Sequence, residues 1–93
     1  MRIRIESNFF ILGFDGKELE ASEGTTLRQM LSKLAGFAEE RIEFFRRGSD
    51  ELDTDDWEIN VNGMPYHKCR AQLETLLAAG DLLEVRMNMM GGG

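Results

Sequence analysis

One stretch of this 93-residue chain has the periodicity of an amphipathic helix, and that stretch limits how the rest can fold. Apolar residues recur at helical spacing from Leu27 to Ala35, which places them on one face. Thr26 and Gln29 fit a capping box at the start of this helix, and Gly36 is its predicted end. The apolar face of such a helix has to pack against another layer of structure.

The other patterned segments alternate with period two, which is typical of half-buried strands. The first covers residues 2–12, and Asp15-Gly16 predicts a hairpin turn that leads into a second strand at 17–21. Later strands are predicted at 57–61, before an Asn-Gly turn, and at 83–87. One helix and a mixed sheet of four to five strands predict an α+β domain with the helix across one face.

The segments between these elements are less regular. Residues 39–45 are predicted to form further helix or a turn, with Ile42 and Phe45 as candidate core anchors. Residues 48–56 are polar and acidic, and we expect a solvated loop there. The leucines of 73–77 indicate a short helix or turn before the last strand.

Composition and charge argue against several kinds of partner. The formal net charge is -6, whereas nucleic acids and anionic membranes attract basic surfaces. Cys69 is the single cysteine, so no internal disulfide can form and a reducing compartment is expected. The N-terminal residues lack the apolar stretch of a signal peptide, and the apolar run at 9–12 is too short to span a bilayer. We therefore expect a cytoplasmic protein.

No enzyme site is predicted from the side chains. His67 and Cys69 lie close together, but a structural zinc site usually needs four ligands. The acidic residues of 50–56 lack the glycine and distal glutamate of a calcium loop, so no metal site is expected. The sequence also has no phosphate-binding loop and no identifiable pair of nucleophile and base.

The end of the sequence is unusual because the last predicted strand leads, through two methionines, into Gly91, Gly92 and Gly93. Glycine adds no packing and loses much backbone entropy when it is ordered, so it is a poor choice for structure. We interpret residues 89–93 as a flexible tail on a domain of residues 1–88. Such a tail can enter a narrow slot and present its terminal carboxylate to another protein.

An adjacent pair of aromatic residues is a candidate docking feature. Phe9 and Phe10 would point to opposite faces of the first strand, so they cannot both enter one core. One of them is therefore a candidate for an exposed patch that contacts a partner. The alternative is that an extra loop covers the second face and buries both.

Taken in order, these motifs resemble the MoaD/ThiS family of ubiquitin-like β-grasp sulfur carriers. The resemblance covers nearly the whole chain and rests on the order of short motifs, each of which is common alone. The matching residues are Arg2-Ile3-Arg4-Ile5, Glu23-Gly24-Thr25-Thr26-Leu27, Ile59-Asn60-Val61-Asn62-Gly63, Leu73, Leu77, Gly80-Asp81-Leu82-Leu83-Glu84-Val85 and the terminal glycines.

The resemblance implies a ubiquitin-like β-grasp fold and a function for the tail. In that family an activating enzyme, related to ubiquitin activators, uses ATP to adenylate the last glycine, which here is Gly93. Sulfur then replaces the adenylate and gives a thiocarboxylate. Gly91 and Gly92 would let the tail enter the partner's active site, and ATP would be bound by the partner, so this chain would hold no cofactor of its own and would not be an enzyme.

The acceptor of the sulfur is less clearly indicated. The length of the chain looks more like the molybdopterin branch, in which the carrier is the small subunit of molybdopterin synthase and the large subunit is a partner. That branch usually has a proline pair before its tail, but Asn88, Met89 and Met90 stand here. A carrier for thiamine synthesis or another sulfur transfer, a protein modifier joined through Gly93, and a binding module that uses only its β-grasp surface remain alternatives.

Overall fold

The computed structural model describes residues 1–7, 18–37, 43–46, 48–49 and 51–88. Within these ranges the chain forms a small α+β domain of five strands, one α-helix and two short 3-10 turns. In chain order the elements are β1 (Arg2–Ser7), β2 (Glu18–Glu20), α1 (Leu27–Phe37), β3 (Trp57–Val61), β4 (Met64–Pro65), the 3-10 turns Tyr66–Lys68 and Gln72–Glu74, and β5 (Leu82–Met87).

The five strands form one mixed sheet in the order β2-β1-β5-β3-β4. The first and last strands lie side by side and run parallel, with Arg4 opposite Leu82 and Ser7 opposite Val85. All the other neighbouring pairs are antiparallel. Because β5 has a partner on both sides, the last of the described strands lies at the centre of the sheet.

The core lies between the sheet and α1, as the two periodicities predict. The helix contributes Leu27, Met30, Leu31 and Leu34, all fully buried. The alternating strand residues that face them are also buried: Ile3, Ile5, Leu19, Trp57, Ile59, Val61, Leu83 and Val85. The intervening strand residues are mostly charged and lie on the opposite face of the sheet.

The capping box at the start of α1 is confirmed. The Thr26 N–H donates to Gln29 Oε1 at 2.9 Å, and the Gln29 N–H donates to Thr26 Oγ1 at 3.2 Å. The predicted stop at Gly36 is wrong, because the helix runs through this residue to Phe37. Gly36 is not among the residues with positive φ, so it does not form the left-handed cap that favours glycine.

The segment before β3 packs differently from the prediction. Phe45, the expected anchor, is only half-buried, whereas its neighbour Phe44 is 2% exposed and packs against Trp57. The expected acidic loop also carries a core residue, since Leu52 is buried and its backbone bridges to Phe45. This segment therefore closes one end of the core.

The connection between β3 and β4 is the tight turn that Asn62-Gly63 predicts, with φ of 52° and 83°. Asn62 also connects this turn to the start of β5. Its Nδ2 donates to Asp81 Oδ1 at 3.0 Å, and its Oδ1 accepts from the Leu82 N–H at 2.9 Å. These bonds hold the start of β5 beside β3.

Several predictions fall on residues outside the described ranges. They are the hairpin turn at Asp15-Gly16, the extension of the first strand beyond Ser7, and Ile42 as a core anchor. The antiparallel pairing that the hairpin implies is present, because Ile3 lies opposite Leu19. No helix in the described part of the chain is long and apolar enough to cross a membrane.

Candidate functional site

The five residues that sequence analysis singled out all lie outside the described ranges. These are Gly91, Gly92 and Gly93 of the tail, and Phe9 and Phe10 of the first strand. Their predicted roles remain predictions. The described residue nearest to the tail is Asn88, which directly follows β5. Its contacts show how the start of the tail is held against the domain.

Asn88 is attached to the loop of residues 54–56 by three hydrogen bonds. Its backbone N–H donates to Asp56 O at 2.8 Å, which extends the β3–β5 ladder by one residue. Its side-chain Nδ2 donates to Thr54 O and to Asp55 O, at 3.3 Å each. The amide nitrogen thus has two carbonyl acceptors, and three successive carbonyls hold one residue. We call this arrangement the Asn88 clamp.

The loop that receives Asn88 is itself held in place. Asp53 is its anchor, because Asp53 O accepts from the N–H groups of Asp56 and Trp57 at 3.2 and 3.0 Å. The Asp53 carboxylate accepts from the Asp55 N–H at 3.2 Å, and the Asp53 N–H donates to Phe44 O at 2.8 Å. The clamp therefore connects the end of β5 to the buried end of the core.

Arg46 offsets part of the negative charge of this loop. Its guanidinium lies 3.9 Å from the Asp53 carboxylate, 3.5 Å from that of Asp55 and 3.4 Å from Thr54 Oγ1. The pairs are partly exposed, so each contributes little to stability. Among the described residues, no group of three or more His, Cys, Asp or Glu side chains could hold a metal ion.

The face of the sheet opposite α1 is charged rather than apolar. Glu58 and Arg86 lie opposite each other across β3 and β5, and Arg86 also pairs with Glu84 at 3.2 Å. At the β1–β2 edge, the Arg2 guanidinium donates to Glu20 at 3.1 Å. This contact, helped by the Met1 amino group, lowers the pKa of the Glu20 carboxyl below its usual value.

An open hollow of about 430 Å³ lies between the segment before β3 and the two 3-10 turns, and it is a rival site. Its arginines already have carboxylate partners: Arg28 donates to Glu74 at 2.6 Å, and Arg46 pairs with the acidic loop. Arg28 also covers the ring of Phe45, with 5.5 Å to the centroid. The positive and negative side chains that line the hollow therefore balance, and the hollow favours neither an anionic nor a cationic ligand.

The two side chains considered for zinc have other contacts. His67 packs edge-on against Tyr66, with ring centroids 5.8 Å apart. Cys69 is half-buried, and its Sγ lies 3.7 Å from Pro65 O. His67 is exposed, whereas Cys69 packs against the core beside the first 3-10 turn.

Comparisons with protein-family models, curated proteins and solved structures found no match to this chain. Function therefore has to be argued from the residues themselves. The feature that sequence reasoning missed is the Asn88 clamp, which joins residues 33 and 34 positions apart. Its one visible signal was an asparagine directly after an alternating strand, in the place where the resemblance led us to expect proline.

Proposed function

We propose that this chain is a sulfur carrier with a ubiquitin-like β-grasp fold, and that a partner enzyme converts the carboxylate of Gly93 into a thiocarboxylate. The observation that carries this proposal is the position of β5. This strand is central in the sheet, is paired on both sides, and leads through Asn88 directly into the glycine-rich residues 89–93. A firmly held strand is a suitable base for a segment that another protein must capture.

The sheet supports the fold part of the proposal. A mixed five-stranded sheet with parallel β1 and β5, packed on one helix, is compatible with a β-grasp domain. Two of the motifs that carry the family resemblance also have a structural role in the sheet. Asn62 and Gly63 adopt the positive φ of the turn, and Asp81 accepts hydrogen bonds where β5 begins.

The reach of the tail fits the proposed role. Gly93 is five residues beyond Asn88, and an extended chain spans at most about 3.3–3.6 Å per residue, so the reach is about 17 Å. Glycine has no Cβ, which allows the partner's walls to approach the backbone closely. A partner enzyme can therefore modify the Gly93 carboxylate up to about 17 Å away from Asn88.

The chemistry requires nothing from the side chains of this domain. A free α-carboxylate has a pKa of about 3.3–3.7, so at neutral pH it is ionised and a poor electrophile. In the proposed reaction its oxygen attacks the α-phosphate of ATP, pyrophosphate leaves, and an acyl adenylate forms. Hydrosulfide then attacks the acyl carbon, a C–S bond forms, and the C–O bond to AMP breaks. ATP and hydrosulfide are both handled by the partner.

The pathway that uses the sulfur is also part of the proposal. We favour the assembly of molybdopterin, with a molybdopterin synthase large subunit as the acceptor, because the chain is longer than the compact thiamine-type carriers. A carrier for thiamine synthesis would use the same carboxylate. The acceptor enzyme decides between them.

The test is intact-protein mass spectrometry after incubation with ATP, sulfide and the activating enzyme of the host. We expect a mass gain that matches the replacement of one oxygen by sulfur. A chain without Gly92 and Gly93 should show no gain. If the full chain shows no mass gain, although the same enzyme preparation modifies its own carrier protein, the proposal is overturned and a binding module is favoured. Reductant-resistant conjugates on a gel would indicate a protein modifier.

A further inference from the structure

The Asn88 clamp has a geometry that points beyond the stability of the fold. The buried part of β5 ends before it, since Leu83 and Val85 are fully buried whereas Asn88 is half-buried. Asn88 contributes no apolar surface to the core, yet it makes three hydrogen bonds to three successive carbonyls. These contacts fix the orientation of the last described residue.

We propose that Asn88 is a positioning residue that sets the direction in which residues 89–93 leave the domain, and so aligns the Gly93 carboxylate for capture by a partner. This inference rests on the proposed carrier function. The backbone bond to Asp56 O fixes the position of Asn88 along the ladder. The two side-chain bonds fix its rotation, because they pull the amide toward Thr54 O and Asp55 O.

The loop that receives Asn88 is hydrogen-bonded to the rest of the domain. The loop of residues 54–56 donates two hydrogen bonds to Asp53, one to its carbonyl and one to its carboxylate, and Arg46 adds weaker, partly exposed contacts. Asp53 is in turn bonded to the backbone of the buried Phe44. The carbonyls that accept from Asn88 are therefore linked through Asp53 to a buried segment of the core.

The chemistry of the clamp is specific to an asparagine. A primary amide carries two N–H donors on one nitrogen, which matches two neighbouring carbonyl acceptors. An aspartate in the same place can only accept, so its carboxylate would face two carbonyl oxygens and lie near the charge of Asp55. Alanine would leave the backbone bond to Asp56 O and remove both side-chain bonds. Asparagine, alanine and aspartate at position 88 should therefore hold the chain in this orientation progressively less well.

The first arm of the experiment needs no partner. Backbone ¹⁵N relaxation is measured at residues 88–93 in the full chain, in Asn88→Ala and in Asn88→Asp. We expect the heteronuclear NOE at positions 89 and 90 to fall in both variants, and to fall further for Asn88→Asp. Asp56→Asn is the matched control, since it changes an exposed side chain of the same loop but keeps the carbonyl that Asn88 uses. Equal NOE values in all the chains would overturn the inference.

The second arm measures adenylation by pyrophosphate exchange with the activating enzyme. If a misaligned tail is captured less often but reacts normally once captured, Asn88→Ala should raise KM for the carrier by about tenfold and leave kcat unchanged. A merely structural residue would instead lower the urea midpoint and leave the KM of the folded protein unaltered. Asp56→Asn should have the same kcat and KM as the unsubstituted chain.

The two proposals fail in different ways. If the unchanged chain is adenylated and Asn88→Ala has the same kcat and KM, the positioning role is wrong while the carrier function stands. If the unchanged chain is not adenylated by an active enzyme, the carrier function is wrong. The relaxation arm then still decides whether Asn88 orients the tail.

Discussion

Phe44 shows how one residue can decide the packing of an irregular segment. Its side chain is 2% exposed, and its ring centroid lies 4.6 Å from that of Trp57, with the planes inclined at 57°. Trp57 is held in turn by a hydrogen bond from its Nε1 to Glu43 O at 2.8 Å. The tilted ring pair adds to the hydrophobic stabilisation from the buried area. Phe44 is thus the link between the segment before β3 and the sheet.

The first prediction compares Phe44 with its neighbour. Phe44→Ala should lower the free energy of unfolding by about 3–5 kcal/mol, because it leaves a cavity beside Trp57. Phe45→Ala is the matched control and should cost about 1 kcal/mol, since the ring is half-buried and loses its partial packing against the core together with its contact with Arg28. Urea titration followed by the fluorescence of Trp57 measures both. Equal costs for the two variants would contradict the burial of Phe44.

At the scale of elements, the start of α1 is held by its capping box and by the neighbouring segment of residues 75–77. The Leu27 N–H donates to Thr75 O at 2.9 Å, and the Leu77 N–H donates to Thr25 O at 3.0 Å. Together with the reciprocal bonds of Thr26 and Gln29, these contacts satisfy backbone groups that a helix start leaves unpaired. The start of α1 is therefore fixed both by its own cap and by the backbone of residues 75–77.

The second prediction tests the cap alone. Thr26→Ala removes the hydroxyl that accepts from the Gln29 N–H, and should lower the free energy of unfolding by about 1 kcal/mol. Thr26→Ser keeps a hydroxyl in the same place and should cost much less. Hydrogen exchange of the Gln29 amide should accelerate in Thr26→Ala and remain slow in Thr26→Ser. Unchanged exchange in both variants would show that the cap does not protect this amide.

The elements with regular patterns were the ones that the sequence could predict. Alternation identified the buried faces of β3 and β5, and the capping box identified the first turn of α1, because each is written in neighbouring residues. Phe44 and Phe45 have no such pattern, and which of them is buried depends on Trp57, more than ten positions away. Asn88 was missed for the same reason, since its acceptors are backbone carbonyls on a distant loop.

At the scale of the whole molecule, the parallel pair β1–β5 joins the two ends of the described chain. Ile5 lies opposite Leu83, and β5 also pairs with β3, so the sheet is complete only when the last strand has docked. Every buried apolar residue in the described ranges belongs to one continuous cluster. We therefore expect the domain to unfold in one cooperative step, as small single domains usually do.

The third prediction separates this cooperative domain from the glycines that follow it. Leu83→Ala, in the centre of the sheet, should lower the free energy of unfolding by about 2–5 kcal/mol, because Leu83 is fully buried. Deletion of Gly91, Gly92 and Gly93 should change it by less than about 0.5 kcal/mol, since glycine has no side chain to bury. Urea unfolding, followed by circular dichroism and by Trp57 fluorescence, measures both effects, and the two probes should give the same midpoint.

The chain that lacks Gly91, Gly92 and Gly93 should nevertheless lose the proposed mass gain, which would locate function outside the cooperative unit. A large loss of stability on deletion would instead mean that the glycines are part of the fold, and a tail that is needed for folding is poorly suited to entering a partner.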